Sequence, residues 1–158
     1  MKNLFFNFFF IIFLSLYIPK KLLSKTALVT ISSDLNLFVK LAETDSEKKK
    51  GLMHFNKLEG IDGMLFDYKK PQIVNFWMKN TLIPLDIIFI NNEGFVTAIK
   101  KGEPNSQKII SSKTAISVVI EVPRGCAKKL LIKEGSQIKW RVISKEKKKR
   151  YLHCLDDF

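Results

Sequence analysis

Cysteine and histidine are scarce in this 158-residue chain, which has two of each, and only three of its 27 basic residues are arginine. Cys126 and Cys154 stand 28 positions apart with no C-x-x-C pair, which excludes a zinc ribbon or a dithiol redox motif. His54 and His153 are the only imidazoles, and no G-x-S-x-G elbow is present, so serine or cysteine nucleophiles lack their usual base. A glycine-rich phosphate loop is also missing. These absences argue against familiar enzyme classes and imply no cofactor. The shortage of arginine also qualifies the net charge of +12. Readers of phosphate and base edges rely on the bidentate guanidinium, whereas this excess is carried by lysine and half of it lies near the chain ends. Between Thr26 and Ile143 there are 18 basic against 12 acidic residues. A lysine-rich composition, and no nucleic-acid partner, is the reading that follows.

Leu4 to Ile18 is apolar except for Asn7 and Ser15, and it follows Lys2 at the extreme N-terminus. Such a run has the form of a signal-peptide core, and at fifteen residues it is short for a span that needs roughly 20. Residues 1–25 are therefore expected to be a signal peptide or N-terminal anchor, touching the membrane and placing the rest in the periplasm or tethered on the extracytoplasmic side. No A-x-A site follows, so cleavage stays open. An oxidising compartment would permit a Cys126–Cys154 disulfide without requiring one.

Residues 26–144 read as one β-rich domain, expected to be a monomer, and 145–158 as a basic, mobile tail. Thr26–Ser33 and Leu37–Ala42 alternate and form a hairpin through Ser33–Asn36. Thr44 and Glu47 make a capping box that starts a short helix. Short apolar runs at Gly63–Tyr68, Ile73–Met78 and Leu85–Ile90 are bounded by Pro71, Pro84 and Asn91-Asn92, as strands are. Asn91–Gly94 turns the chain into Phe95–Ile99; Ile116–Val122 and Gln137–Ser144 follow, with a brief helix within Pro123–Ile132. The expected fold is mainly β: an antiparallel sandwich or barrel of about seven or eight short strands with one or two short helices.

Gly51-Leu52-Met53, Gly63-Met64-Leu65-Phe66 and, above all, Phe76-Trp77-Met78-Lys79-Asn80-Thr81-Leu82-Ile83-Pro84-Leu85-Asp86 resemble the domain of unknown function 192 family. Val119-Ile120-Glu121-Val122-Pro123 and Gly135 extend the likeness from Val39 to Val142. The resemblance implies a largely β fold behind a signal or anchor segment, and no established activity, substrate or cofactor. Many relatives carry a polar or cysteine-containing loop before the late strand, and Gly102–Lys113 here has no cysteine, so no role for that thiol transfers.

Candidate site residues follow from polar groups in apolar surroundings. Lys79, Asn80, Thr81 and Asp86 cluster between two strands, where they would hold an anion, a hydroxyl or an amine at a pocket mouth. The same residues serve equally well as a turn, with Asp86 receiving loop amides. Glu121 interrupts an apolar strand. Either it faces outward from a half-buried sheet, or it joins Asp86 as the acid–base pair of a small hydrolase or lyase. Met53, His54, Met64 and Met78 are a soft-donor set that would suit copper, or else core packing. The leading expectation is a non-catalytic module that presents the Lys79–Asp86 loop to a small ligand or another exported protein.

Overall fold

The computed structural model describes residues 25–33 and 35–143. The expected leader, the basic tail and the cysteine at 154 lie outside the described residues, apart from Lys25. Among those described, the chain forms β1 (Thr26–Ser32), β2 (Leu35–Ala42), α1 (Asp45–Lys50), β3 (Gly63–Gln72), β4 (Asn75–Phe76) and β5 (Leu85–Ile90). It continues through β6 (Val96–Gly102), β7 (Ile110–Ser111), β8 (Ile116–Pro123), α2 (Cys126–Lys129) and β9 (Lys139–Ile143). No helix among them is long and apolar enough to cross a membrane.

Seven strands make one sheet in the order β6-β5-β8-β3-β2-β1-β9, and β4 pairs with β7 in a separate ribbon. The main sheet is mixed. β2 and β3 run parallel, because the segment between them, with α1 in it, crosses over instead of turning back. The mainly β expectation holds, and the parallel β2–β3 pair is the one departure from its antiparallel pairing in the main sheet. The sheet is also open, with β6 and β9 as its edges. The segments leading into them meet around the Phe95–Gln137 bridge, where Val96 N–H donates to the Ser136 carbonyl at 2.9 Å and Gly94, at φ +86°, leaves room that a Cβ, 2.8 Å from the Ile138 carbonyl oxygen, would fill.

Two apolar layers cover the sheet. One joins Val39, Leu65, Ile88, Ile120 and Val122 to the α2 region through Cys126 and Ala127. The other joins Met64, Phe66, Ile87, Phe89 and Val119 to Leu52, Phe76 and Met78, residues of the α1 turn and the β4 segment. Every residue of β5 is therefore buried, and β8 is buried except at Ser117. Phe76 fixes the ribbon on this second layer through edge-to-face contacts with Phe66 and Phe89, at 5.1 and 6.0 Å between ring centroids.

Candidate functional site

In antiparallel strands, directly opposed residues share a face. Glu121 on β8 lies opposite Met64 on β3 and Ile87 on β5, so its side chain belongs to the second layer. The expectation that Glu121 faces outward from a half-buried sheet is thereby corrected, because the chain from α1 to Thr81 covers this face. Glu121 is 4% exposed, and its Oε2 atom is buried with no hydrogen-bond partner. Burial alone pushes its carboxyl from the ordinary 4.5 up to about 8, so the group is mostly protonated at neutral pH.

The orphaned carboxyl borders a cavity of about 250 Å³. Phe66, Phe76 and Trp77 supply aromatic walls, Thr81 and Asn75 add polar groups, and Lys48, Lys49 and Lys50 of α1 line another side. Tyr68 joins them, its hydroxyl raised to about 12 by burial and by the charge of Glu121 when ionised. Lys48 Nζ lies 4.7 Å from the centroid of the Tyr68 ring. The helix that brings these lysines is set by its capping box, in which Glu47 N–H donates to Thr44 Oγ1 at 3.2 Å and Thr44 N–H to Glu47 Oε2 at 2.9 Å. Gly51 then turns the chain at φ +48°, and a Cβ there would stand 3.8 Å from Glu121 Oε2 and 3.4 Å from Phe66.

Asp86 does not meet Glu121. It lies opposite Val122, one position out of phase with Glu121, and so projects from the other face of the sheet. There the N–H groups of Gly125 and Ala127 donate to Asp86 Oδ2 at 2.9 and 3.1 Å, capping an α2 whose own N-cap residue, Gly125, has no side chain to do so. The hydrolase or lyase pair is thereby corrected: opposite faces give the two carboxylates no shared cleft. The loop from Lys79 to Asp86 is divided as well. Thr81 is 5% exposed and lines the cavity, whereas Lys79 and Asn80 are exposed and do not. Asn80 holds a left-handed φ of +57°, its carbonyl accepts from His54 N–H at 2.8 Å, and Lys79 Nζ lies 5.4 Å from the Trp77 ring centroid.

Of the sulfur donors, Met64 and Met78 are packed in the core, with the Met78 sulfur filling the space where Gly102 lacks a Cβ. Met53 is half-buried at the cavity and His54 is exposed. No group of three His, Cys, Asp or Glu side chains suited to a metal occurs among the described residues. Sequence reasoning missed Lys48–Lys50, Tyr68, Asn75 and Trp77 as cavity residues, since only the crossover between β2 and β3 brings α1 over β8.

These features define an open mixed-sheet β protein in which a buried carboxyl, its Oε2 without a hydrogen-bond partner, faces a lysine-lined aromatic cavity. Residues 27–140 match the family model DUF192, described as an uncharacterized ACR, and the chain belongs to that family. A solved structure from Sinorhizobium meliloti 1021, provisionally described as a transcription regulator, is 32% identical with a TM-score of 0.68, over 74% of this chain and 94% of that one. A protein of unknown function from Novosphingobium aromaticivorans DSM 12444 is 33% identical with a TM-score of 0.64, over 73% and 84% of the two chains. No curated protein matches.

Proposed function

We propose that this protein is an exported, non-catalytic module that binds a small ligand in the cavity above Glu121. The observation that carries the reading is the orphaned Glu121 Oε2. A buried polar group without a partner costs about 1–3 kcal/mol, and a ligand that supplies the partner recovers that energy on binding. Protonated, Glu121 offers a donor, so the matching ligand atom is an acceptor such as a carbonyl or carboxylate oxygen. Phe66, Phe76 and Trp77 suit a flat apolar body, and Lys48–Lys50 suit an acidic substituent at the opening. The apolar run Leu4–Ile18 supports placement outside the cytoplasm.

Ligand-observed NMR with a library of small aromatic and aliphatic acids tests the reading. Hits that bind the wild type and lose at least about tenfold in affinity in Glu121→Leu, but not in Asp86→Asn, support it; one lost hydrogen bond to a buried group is worth that much. Hits indifferent to Glu121 would refute it.

A further inference from the structure

The outer face of the β4–β7 ribbon extends beyond the cavity, which is lined from that face only by Asn75 and Trp77. Asn75 pairs with Ser111 and Phe76 with Ile110. The same register continues outward, since Val74 and Ser112 are bonded through Ser112 N–H to the Val74 carbonyl at 3.0 Å and Val74 N–H to Ser112 Oγ at 3.1 Å. Alternation therefore buries Val74, Phe76 and Ser112 and turns Ile73, Trp77 and Ile109 outward. These three large apolar side chains, all on the β4 and β7 segments, are 60%, 40% and 58% exposed.

Lysines flank the apolar tips. A cleft of about 410 Å³ beside β7 is lined by Lys100, Lys101, Lys108 and Lys113 together with Ile109. Its one acid, Glu103, is paired with Arg124 at 2.9 Å. No ion pair among the described residues engages the four lysines or Lys79, which lies over the Trp77 ring instead. Aliphatic and indole tips within a collar of unpaired lysines are complementary to a bilayer surface: the tips enter the headgroup layer while the ammonium groups remain at anionic lipid. Nucleic acid fits less well, because no arginine lines the cleft and Ile73 and Ile109 offer nothing to a phosphate backbone.

We propose that the outer face of the β4–β7 ribbon docks on anionic lipid bilayers, inserting Trp77, Ile73 and Ile109 at the headgroup level. This docking is separate from any contact made by the N-terminal run, and it holds the domain face-down on the membrane.

The chain has two tryptophans, and only Trp77 is on this face; Trp140 is on β9, the far edge of the sheet. Full-length Trp140→Phe and Trp77→Phe proteins, reconstituted in vesicles of phosphatidylglycerol or phosphatidylcholine with brominated acyl chains, therefore report the two sites separately whatever the N-terminus does. Trp77 emission should shift to the blue and be quenched in phosphatidylglycerol, and the quenching should fall to the phosphatidylcholine level in 1 M salt, where the Debye length is about 3 Å. It should fall likewise in a Lys100→Ser, Lys101→Ser, Lys108→Ser protein. Trp140 should stay unquenched in every vesicle. Unquenched Trp77 in phosphatidylglycerol, equal quenching of both tryptophans, or retention of duplex DNA with Trp77 unaffected by lipid would each overturn the proposal.

Discussion

A carboxyl buried without a partner stays neutral at the expense of folding, and pH exposes that expense. In the unfolded chain Glu121 titrates near its ordinary 4.5, and in the fold near 8. Between those values the folded protein holds a proton the unfolded chain has lost. Glu121's contribution is thus most favourable below pH 4.5, and it is lost as pH rises to 8 at about 1.4 kcal/mol per unit, a few kcal/mol across the window. Urea unfolding should show wild-type stability falling relative to Glu121→Leu over that range. The leucine variant should be more stable by about 1–3 kcal/mol at pH 7, the desolvation cost of a buried polar group left without a partner. Asp86 should behave in the opposite way: Asp86→Ala leaves the Gly125 and Ala127 amides without their acceptor and should lower stability by about 1–2 kcal/mol. Chemically alike in the sequence, the two carboxylates are separated by one step of strand phase, which fixes their different roles.

Among the elements, β8 depends on close approach of its neighbour. A Cβ on Gly63 would fall 2.1 Å from the Glu121 carbonyl oxygen, a backbone atom that the sheet holds in place. Gly63→Ala should therefore lose more than about 3 kcal/mol by denaturant titration, well beyond the propensity effect of roughly 1 kcal/mol. At the end of α2, Leu131 adopts φ +57° while 84% exposed, so it bears the strain of a left-handed conformation with little burial in return. Leu131→Gly should raise stability, by up to about 1 kcal/mol in the same assay. Much at this level was legible beforehand: the Thr44–Glu47 capping box, the Asn91–Gly94 turn and the apolar run Leu85–Ile90 are local signals, and each maps onto the helix, hairpin or strand it implies. The run Ile73–Met78 kept only Asn75–Phe76 as strand, because its partner is the two-residue β7 and not the main sheet.

For the whole molecule, what stayed illegible is long-range pairing. No local signal announces that β2 and β3 run parallel, or that the intervening chain lies over β8. Yet that crossover turns an apparently half-solvated strand face into a second core and places three lysines beside Glu121. Sequence likeness did identify the family, because the Phe76–Asp86 string is long, but it also drew attention to the loop itself. Within that loop the structure separates Thr81, in the cavity, from Asp86, beneath α2, and from Lys79, at the surface. The central claim is that Glu121 stands unpartnered at the base of a ligand cavity. Its most direct test is a ¹³C titration of the side-chain carboxyls in protein labelled at glutamate, with Glu121→Gln used to assign the resonance. A midpoint near 8 is predicted; a midpoint near the ordinary 4.5 would contradict the account.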